Sequence, residues 1–148
     1  KRQRLSGLDQ NEYLLEKQPM RFVNMSDSRE LRPSDFMDKH PVVNAVCGIG
    51  NPLSFQRTLH VIGLETNLLS FPDHYSFLEE DLLFANQNPI VVTEKDMVKM
   101  RDLNIDLANF WYLEIEAMII SKNESPIEKI LLERNISPKT NKKNKALA

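Results

Sequence analysis

The rhythm of apolar and polar positions changes at Pro41. Val42, Val43, Ala45, Val46 and Cys47 form a nearly unbroken apolar run closed by Gly48, the pattern of a strand covered on both faces. Asn51-Pro52 follows, a helix cap with proline at the first helical position. Phe55, Leu59 and Ile62 then recur at spacings of four and three, which predicts an amphipathic helix ending at Gly63. The alternation repeats. Leu64 to Phe71 reads as a strand, and Ser76-Phe77-Leu78-Glu79 as a capping box opening a helix with Leu78, Leu82 and Ala85 on one face. Pro89 to Val92 supplies a third strand, and Thr93-Glu94-Lys95-Asp96 caps a short helix that continues from Met97 to Leu103. Trp111 to Ile115 is the fourth strand and Pro126 to Arg134 a last helix. Strands alternating with helices imply parallel pairing through right-handed crossovers. The predicted class is therefore α/β, a three-layer α/β/α lobe on a mostly parallel sheet.

Outside this core the signals are thinner. Tyr13 to Leu15 and Phe22 to Met25 are short apolar runs separated by Glu16 to Met20, which contains Pro19, so a β-hairpin is expected there. Ser26 to His40 is polar, punctuated by Pro33, and reads as a connector with one helical turn. Pro138 to Ala148 carries Lys139, Lys142, Lys143 and Lys145 and reads as a basic, disordered tail. The expected organisation is a linker over residues 1–40, a lobe over 41–135 and a tail over 136–148. No internal repeat is visible.

Composition narrows the partners. A chain of 148 residues supports one domain rather than two. Its 19 Lys and Arg against 21 Asp and Glu leave no strong field, so nucleic acid is not an expected partner. Cys47, the single cysteine, has no intramolecular disulfide partner and lies in an apolar run, as a small core residue does. No segment approaches the roughly 18 to 20 apolar residues of a membrane span, and Lys1 to Arg4 leads into no signal-peptide core, which predicts a chain soluble by itself. The first residue is Lys rather than Met, so a processed, truncated or partial chain is expected.

Chemistry is expected at the carboxyl ends of the strands, where loops and helix starts converge in an open α/β sheet. Gly48-Ile49-Gly50-Asn51-Pro52 offers two glycines whose amides could approach a phosphate or sugar oxygen at a helix start, or that simply serve a tight turn needing positive φ. Phe71-Pro72-Asp73-His74-Tyr75 sets an acid beside an imidazole, whose ordinary pKa lies near neutrality, so His74 is a candidate general base or an ordinary loop histidine. His40 and His60 fall in a connector and on a helix. In the third cluster Thr93 and Asp96 are explained as a cap. Glu94 and Lys95 are less committed, and Lys95 either meets a phosphate or joins a surface ion pair. The pattern G-x-x-x-x-G-K-[ST] is absent, since none of the four glycines precedes lysine.

Taken in order, Ala45-Val46-Cys47-Gly48-Ile49-Gly50-Asn51-Pro52, Phe55-Gln56-Arg57-Thr58-Leu59, Gly63, Phe71-Pro72-Asp73-His74-Tyr75, Thr93-Glu94-Lys95-Asp96-Met97-Val98-Lys99 and Trp111-Tyr112 resemble the C-terminal half of tetraacyldisaccharide 4'-kinase, the lipid A 4'-kinase of Gram-negative bacteria. The similarity runs from about Phe22 to Ile115. The resemblance implies an enzyme at the cytoplasmic face of the inner membrane that moves the γ-phosphate of ATP, with Mg2+, onto the 4'-hydroxyl of a tetraacyldisaccharide 1-phosphate. It implies two α/β/α lobes joined by a β-hairpin linker, with the P-loop and a membrane-associating segment in an N-terminal lobe that this chain lacks. His74 would be the family's active-site histidine, partnered by an aspartate of that other lobe. Gly48, Gly50, Asn51, Asp73, Glu94 and Lys95 are the substrate or phosphate-binding candidates. Two positions depart from the family pattern. Tyr75 stands where a second His is frequent, and Met97 where Ala is.

Two other classes compete. A metal-dependent phosphohydrolase would use Asp73, His74, Glu94 and Asp96 as ligands, and a non-catalytic α/β module would bind a nucleotide or a protein at the strand ends. A P-loop encoded upstream of Lys1 would favour the kinase, and a start codon close to Lys1 the module.

Overall fold

The computed structural model describes residues 13–121, and their side chains over 16–117. The elements run β1 (Tyr13–Asn24), β2 (Glu30–Leu31), α1 (Pro33–Lys39), β3 (Val42–Cys47), α2 (Pro52–Ile62), β4 (Glu65–Ser70), a 3-10 turn (Glu79–Leu82), β5 (Ile90–Thr93), α3 (Glu94–Met100) and β6 (Phe110–Ser121). They build one six-stranded sheet in the order β2-β1-β6-β5-β3-β4. Strand β3 pairs in parallel with β4, from Val42↔Glu65 to Cys47↔Ser70, and with β5, from Asn44↔Ile90 to Val46↔Val92. Strand β6 continues the parallel set, Ile90↔Phe110 to Thr93↔Leu113, while β2 is antiparallel to β1. The Met25 amide donates to the Phe110 carbonyl, and Arg21, four residues earlier, reaches Glu114, four residues later, so β1 and β6 also run antiparallel.

The period-two alternation of the central strands separates two cores. Val43, Ala45 and Cys47 of β3, Val91 of β5, and Trp111 and Leu113 of β6 face Phe36 of α1 and Phe55 and Leu59 of α2. Val46, Ile90, Val92 and Phe110 face the other way, against Met97 and Met100 of α3 and Phe77 and Leu82. Burial on both faces gives the three layers that the continuous apolar runs predict. Each fully buried side chain such as Leu59 contributes about 1.5–3 kcal/mol through removal of apolar surface from water. Helix α2 stops as expected: Gly63 adopts φ 104, and its amide and that of Leu64 close onto the last carbonyls.

Three local readings are corrected. The break expected at Pro19 is absent, and β1 runs unbroken through it. Proline's fixed φ lies close to extended backbone, so the strand passes through it without a turn. The chain reverses instead after Asn24, whose side-chain oxygen accepts the amides of Ser26 and Asp27. The Ser26 to His40 connector holds the two-turn helix α1, whose Phe36 stacks on Phe22 at 3.9 Å between ring centres. The helix expected from Ser76 shrinks to the 3-10 turn, with the Leu78 amide donating to the Asp81 carboxylate. Its continuation is diverted by Asn44, a fully buried amide in β3 that donates to Asn86 at 2.7 Å and accepts from Asn67 and Asn86. A buried amide demands such partners, and this demand outweighs local helix propensity.

Residues Lys17–Ala117 form one compact unit, so residues 17–40, read from sequence as linker, contribute strand residues of β1 and β2 to the same sheet and α1 to the layer packed on it. The remaining unit comprises Lys1–Glu16 and Met118–Ala148, of which the structure describes Tyr13 to Glu16 in β1 and Met118 to Ser121 in β6. The helix expected over Pro126 to Arg134 and the tail from Pro138 lie outside the described residues.

Candidate functional site

All seven candidates fall at the carboxyl ends of three adjacent strands. Gly48, Gly50 and Asn51 follow β3, Asp73 and His74 follow β4, and Glu94 and Lys95 follow β5. Strand β3 feeds α2 on one face of the sheet, and its neighbour β5 feeds α3 on the other. The chain therefore switches direction between them, and such a switch point leaves a crevice beyond the strand ends.

The most ordered chemistry there is the Asp73-His74 loop. Asp73 Oδ1 accepts the His74 amide at 3.1 Å and Lys95 Nζ at 2.8 Å, while its Oδ2 stands 3.6 Å from His74 Nε2. The Lys95 bond, helped by the charges of His74 and Lys95, holds the Asp73 carboxyl below the usual carboxylate range, so Asp73 is an anion at neutral pH. His74 has φ 62, a left-handed backbone that residues other than glycine adopt only where their surroundings impose it. Its side chain is 78% exposed and open to a reactant. Tyr75 turns the other way, stacking on Phe71 at 4.6 Å.

The two glycines play different parts, and the positive φ expected of a tight turn is found at neither. Neither Gly48 nor Gly50 has positive φ; among the described glycines only Gly63 does. Gly48 is the position of close approach, since a Cβ there would meet Phe77 Cζ and the Pro72 carbonyl at 3.3 Å and Asp96 Oδ1 at 3.4 Å. Its amide donates to Asp96 Oδ2 at 3.0 Å, so it is committed inward rather than offered to an anion. A Cβ on Gly50 would meet only Asp73 Oδ2, at 3.9 Å, so the strain expected there is absent.

Thr93 caps α3 with Asp96 as its partner, as predicted: the two exchange bonds, and Asp96, which is fully buried, also accepts Lys99 Nζ at 2.9 Å. This commitment removes one of the four ligands a metal-dependent phosphohydrolase would need. Among the described residues no three His, Cys, Asp or Glu side chains gather as a metal site. Cys47 is buried at the end of β3, where burial and the Asp96 charge push its thiol up to about 11, leaving it protonated and unreactive.

Beside the loop lies a cleft of about 370 Å³ on the α2 face of the sheet. Asn51, Ser54 and Thr58 of α2 form one wall, Thr93, Glu94 and Lys95 another, and Ile49, Phe55, Leu113 and Ile115 supply apolar surface. The Asn51 side chain caps α2 by accepting the Ser54 amide at 3.1 Å. Sequence reasoning missed Lys17, which reaches this cleft from β1 and lies far along the chain from every motif. Phe55, read from sequence as part of a helix's apolar face, lines the cleft as well. Lys95 joins cleft and loop, lining one and bonding Asp73 in the other.

Comparison with known proteins bears on the family and the fold. The chain is 38% identical over 95 residues to the tetraacyldisaccharide 4'-kinase of Alcanivorax borkumensis, covering 64% of this chain and 28% of that protein. It is 34% identical over 110 residues to the enzyme of the same name from Hahella chejuensis, covering 74% and 31%. The Nitrosococcus oceani enzyme is 42% identical over 77 residues, covering 52% and 22%. The chain thus spans less than a third of the length of these curated relatives. A crystal structure of "apo" form LpxK from Aquifex aeolicus in complex with ATP superposes with a TM-score of 0.59, covering 91% of this chain and 41% of that one. At 19% identity this likeness establishes the α/β fold. The profile of LpxK, tetraacyldisaccharide-1-P 4'-kinase, matches residues 2–135, and the chain belongs to that family.

Proposed function

We propose that this chain is the C-terminal lobe of a kinase that transfers the γ-phosphate of ATP to the 4'-hydroxyl of a tetraacyldisaccharide 1-phosphate in lipid A synthesis. The observation that carries the reading is the Asp73-His74 loop: an exposed imidazole on a left-handed backbone, braced by an anion, at the strand ends of a family member. The described residues fit neither a metal ion nor a triphosphate. No acidic cluster is present among them, no G-x-x-x-x-G-K-[ST] loop exists in the sequence, and Asp73 is already paired with Lys95. ATP and Mg2+ are therefore assigned to an N-terminal P-loop lobe outside this chain, and that lobe's leading segment would hold the protein on the cytoplasmic face of the inner membrane. The solved relative in fold that carries ATP supports the choice of donor.

In this reading His74, together with an aspartate of the P-loop lobe, accepts the proton of the 4'-hydroxyl. The sugar oxygen forms its bond to the γ-phosphorus as the bond from that phosphorus to the bridging β,γ-oxygen breaks, and ADP leaves with the electron pair. Phosphoryl transfer asks chiefly for positioning and charge stabilisation, which a loop fixed at the strand ends supplies. Gly50, Asn51, Glu94 and Lys95 border the space in which the acceptor headgroup would lie. In the full-length enzyme, His74→Ala should lower kcat by about 100- to 10,000-fold, the usual effect of losing a general acid or base, with KM for ATP little changed. Steady-state kinetics beside Tyr75→Phe would measure it. A kcat within about threefold of wild type would make His74 an ordinary loop histidine.

A further inference from the structure

We propose that Lys95 is a positioning residue for the transfer step, acting on His74 through Asp73. The inference rests on the reading of His74 as the reacting imidazole.

Strands β4 and β5 are not neighbours; β3 lies between them. The Lys95 to Asp73 bond of 2.8 Å therefore reaches across the end of β3 and ties the loop after β4 to the first turn of α3. Gly50 lies beside the Asp73 end of this bridge. Its missing side chain leaves Asp73 Oδ2 clear at 3.9 Å from where a Cβ would begin, so the longer side chains would encroach on the bridge. On the far side, the oxygen that accepts Lys95 also accepts the His74 amide, at 3.1 Å. One carboxylate oxygen thus receives the cation that orients it and the amide that it orients. Its second oxygen faces the imidazole at 3.6 Å.

His74 lies in the left-handed region at φ 62, where a residue with a side chain stays only when its surroundings fix it. The Asp73 carboxylate is the one side-chain partner recorded for the His74 amide, and Lys95 is the one ammonium on that carboxylate among the described residues. Both members of the pair are nearly half exposed, 46% for Lys95 and 44% for Asp73. Pairs this exposed add little to folding. What the bridge controls is orientation, and displacement of a reacting group by about 1 Å is enough to cost roughly 100-fold in rate.

The test uses the full-length enzyme and four substitutions. Lys95→Met should lower kcat by about 10- to 100-fold and leave KM for ATP within about threefold, with the melting temperature moved by less than about 3 °C. Lys95→Arg, which keeps a donor within reach of Asp73, should restore most of the rate. On an Asp73→Ala background, Lys95→Met should add less than about threefold, because a residue that acts through the Asp73 carboxylate has nothing left to act on. Effects that multiply instead, or a loss confined to KM for the lipid acceptor, would show that Lys95 touches the substrate directly and would overturn the proposal. His74→Ala separates the two levels. A wild-type kcat in that variant removes the reading of His74 and this inference with it, whereas a slow His74→Ala beside a fast Lys95→Met removes the inference alone.

Discussion

A methyl group added at Gly48 would press on three neighbours at once, and one of them, the Pro72 carbonyl, is backbone that cannot swing aside. Gly48→Ala should therefore destabilise the protein by about 1–3 kcal/mol, the range for overpacking a filled site. Gly50→Ala has room and an ordinary backbone, so its effect should stay within about 1 kcal/mol in either direction. Paired denaturant titrations of the two variants would measure the contrast, and equal losses would contradict it. The sequence pattern Gly-x-Gly marks both positions as special without saying which is which. The distinction depends on Phe77, Pro72 and Asp96, which reach Gly48 from distant parts of the chain. His74 is the opposite case. Its loop and its acid are adjacent in sequence and could be read directly, but the left-handed backbone that presents it is a product of the folded loop.

At the level of elements, the Asp96 carboxylate joins the end of β3 to the start of α3. It satisfies the Gly48 amide and the Thr93 hydroxyl and receives Lys99, all without contact with solvent. Removing it leaves the Gly48 amide and the Thr93 hydroxyl without their acceptor and the part-exposed Lys99 ammonium without its anion. Asp96→Ala should cost about 1–3 kcal/mol, the range for leaving a buried donor unsatisfied, and Asp96→Asn less because its oxygen still accepts. Chemical denaturation gives both numbers, and an Asp96→Ala loss below about 0.5 kcal/mol would contradict the lock. Half of this arrangement is legible in the sequence, because Thr93 and Asp96 are three residues apart and a cap is a local device. The Gly48 half is a contact across 48 positions. The same reasoning explains the 3-10 turn at Glu79–Leu82: its helical signal is local and correct, but a buried asparagine in β3 claims the residues that would have continued it. Helix α1 failed to announce itself for a third reason, since Phe36 and Met37 alone give no repeating apolar stripe.

For the whole molecule, the alternation of apolar runs with capped helices was sufficient to give an α/β class, and the order of three short motifs to give the family, because both are properties of the chain read in sequence. What could not be read is the reach of β1 and β6 beyond their short apolar segments. On the proposed division of labour, with ATP held elsewhere, the 148-residue chain should be inert alone. Incubated with ATP and Mg2+, it should release no phosphate above a heat-treated control, and turnover above that control would place a nucleotide site within it. Strands β1 and β6 also decide how the unit over residues 17–117 can be handled. They are adjacent and antiparallel, and the register fixed by Met25 with Phe110 and Arg21 with Glu114, carried four residues on, brings Lys17 level with the last residues of that unit. The polypeptide enters and leaves at one spot, as in a cassette spliced into a host loop. A body attached in that way can be inserted, exchanged between relatives or closed on itself by a short turn without rethreading the sheet, because its ends already meet.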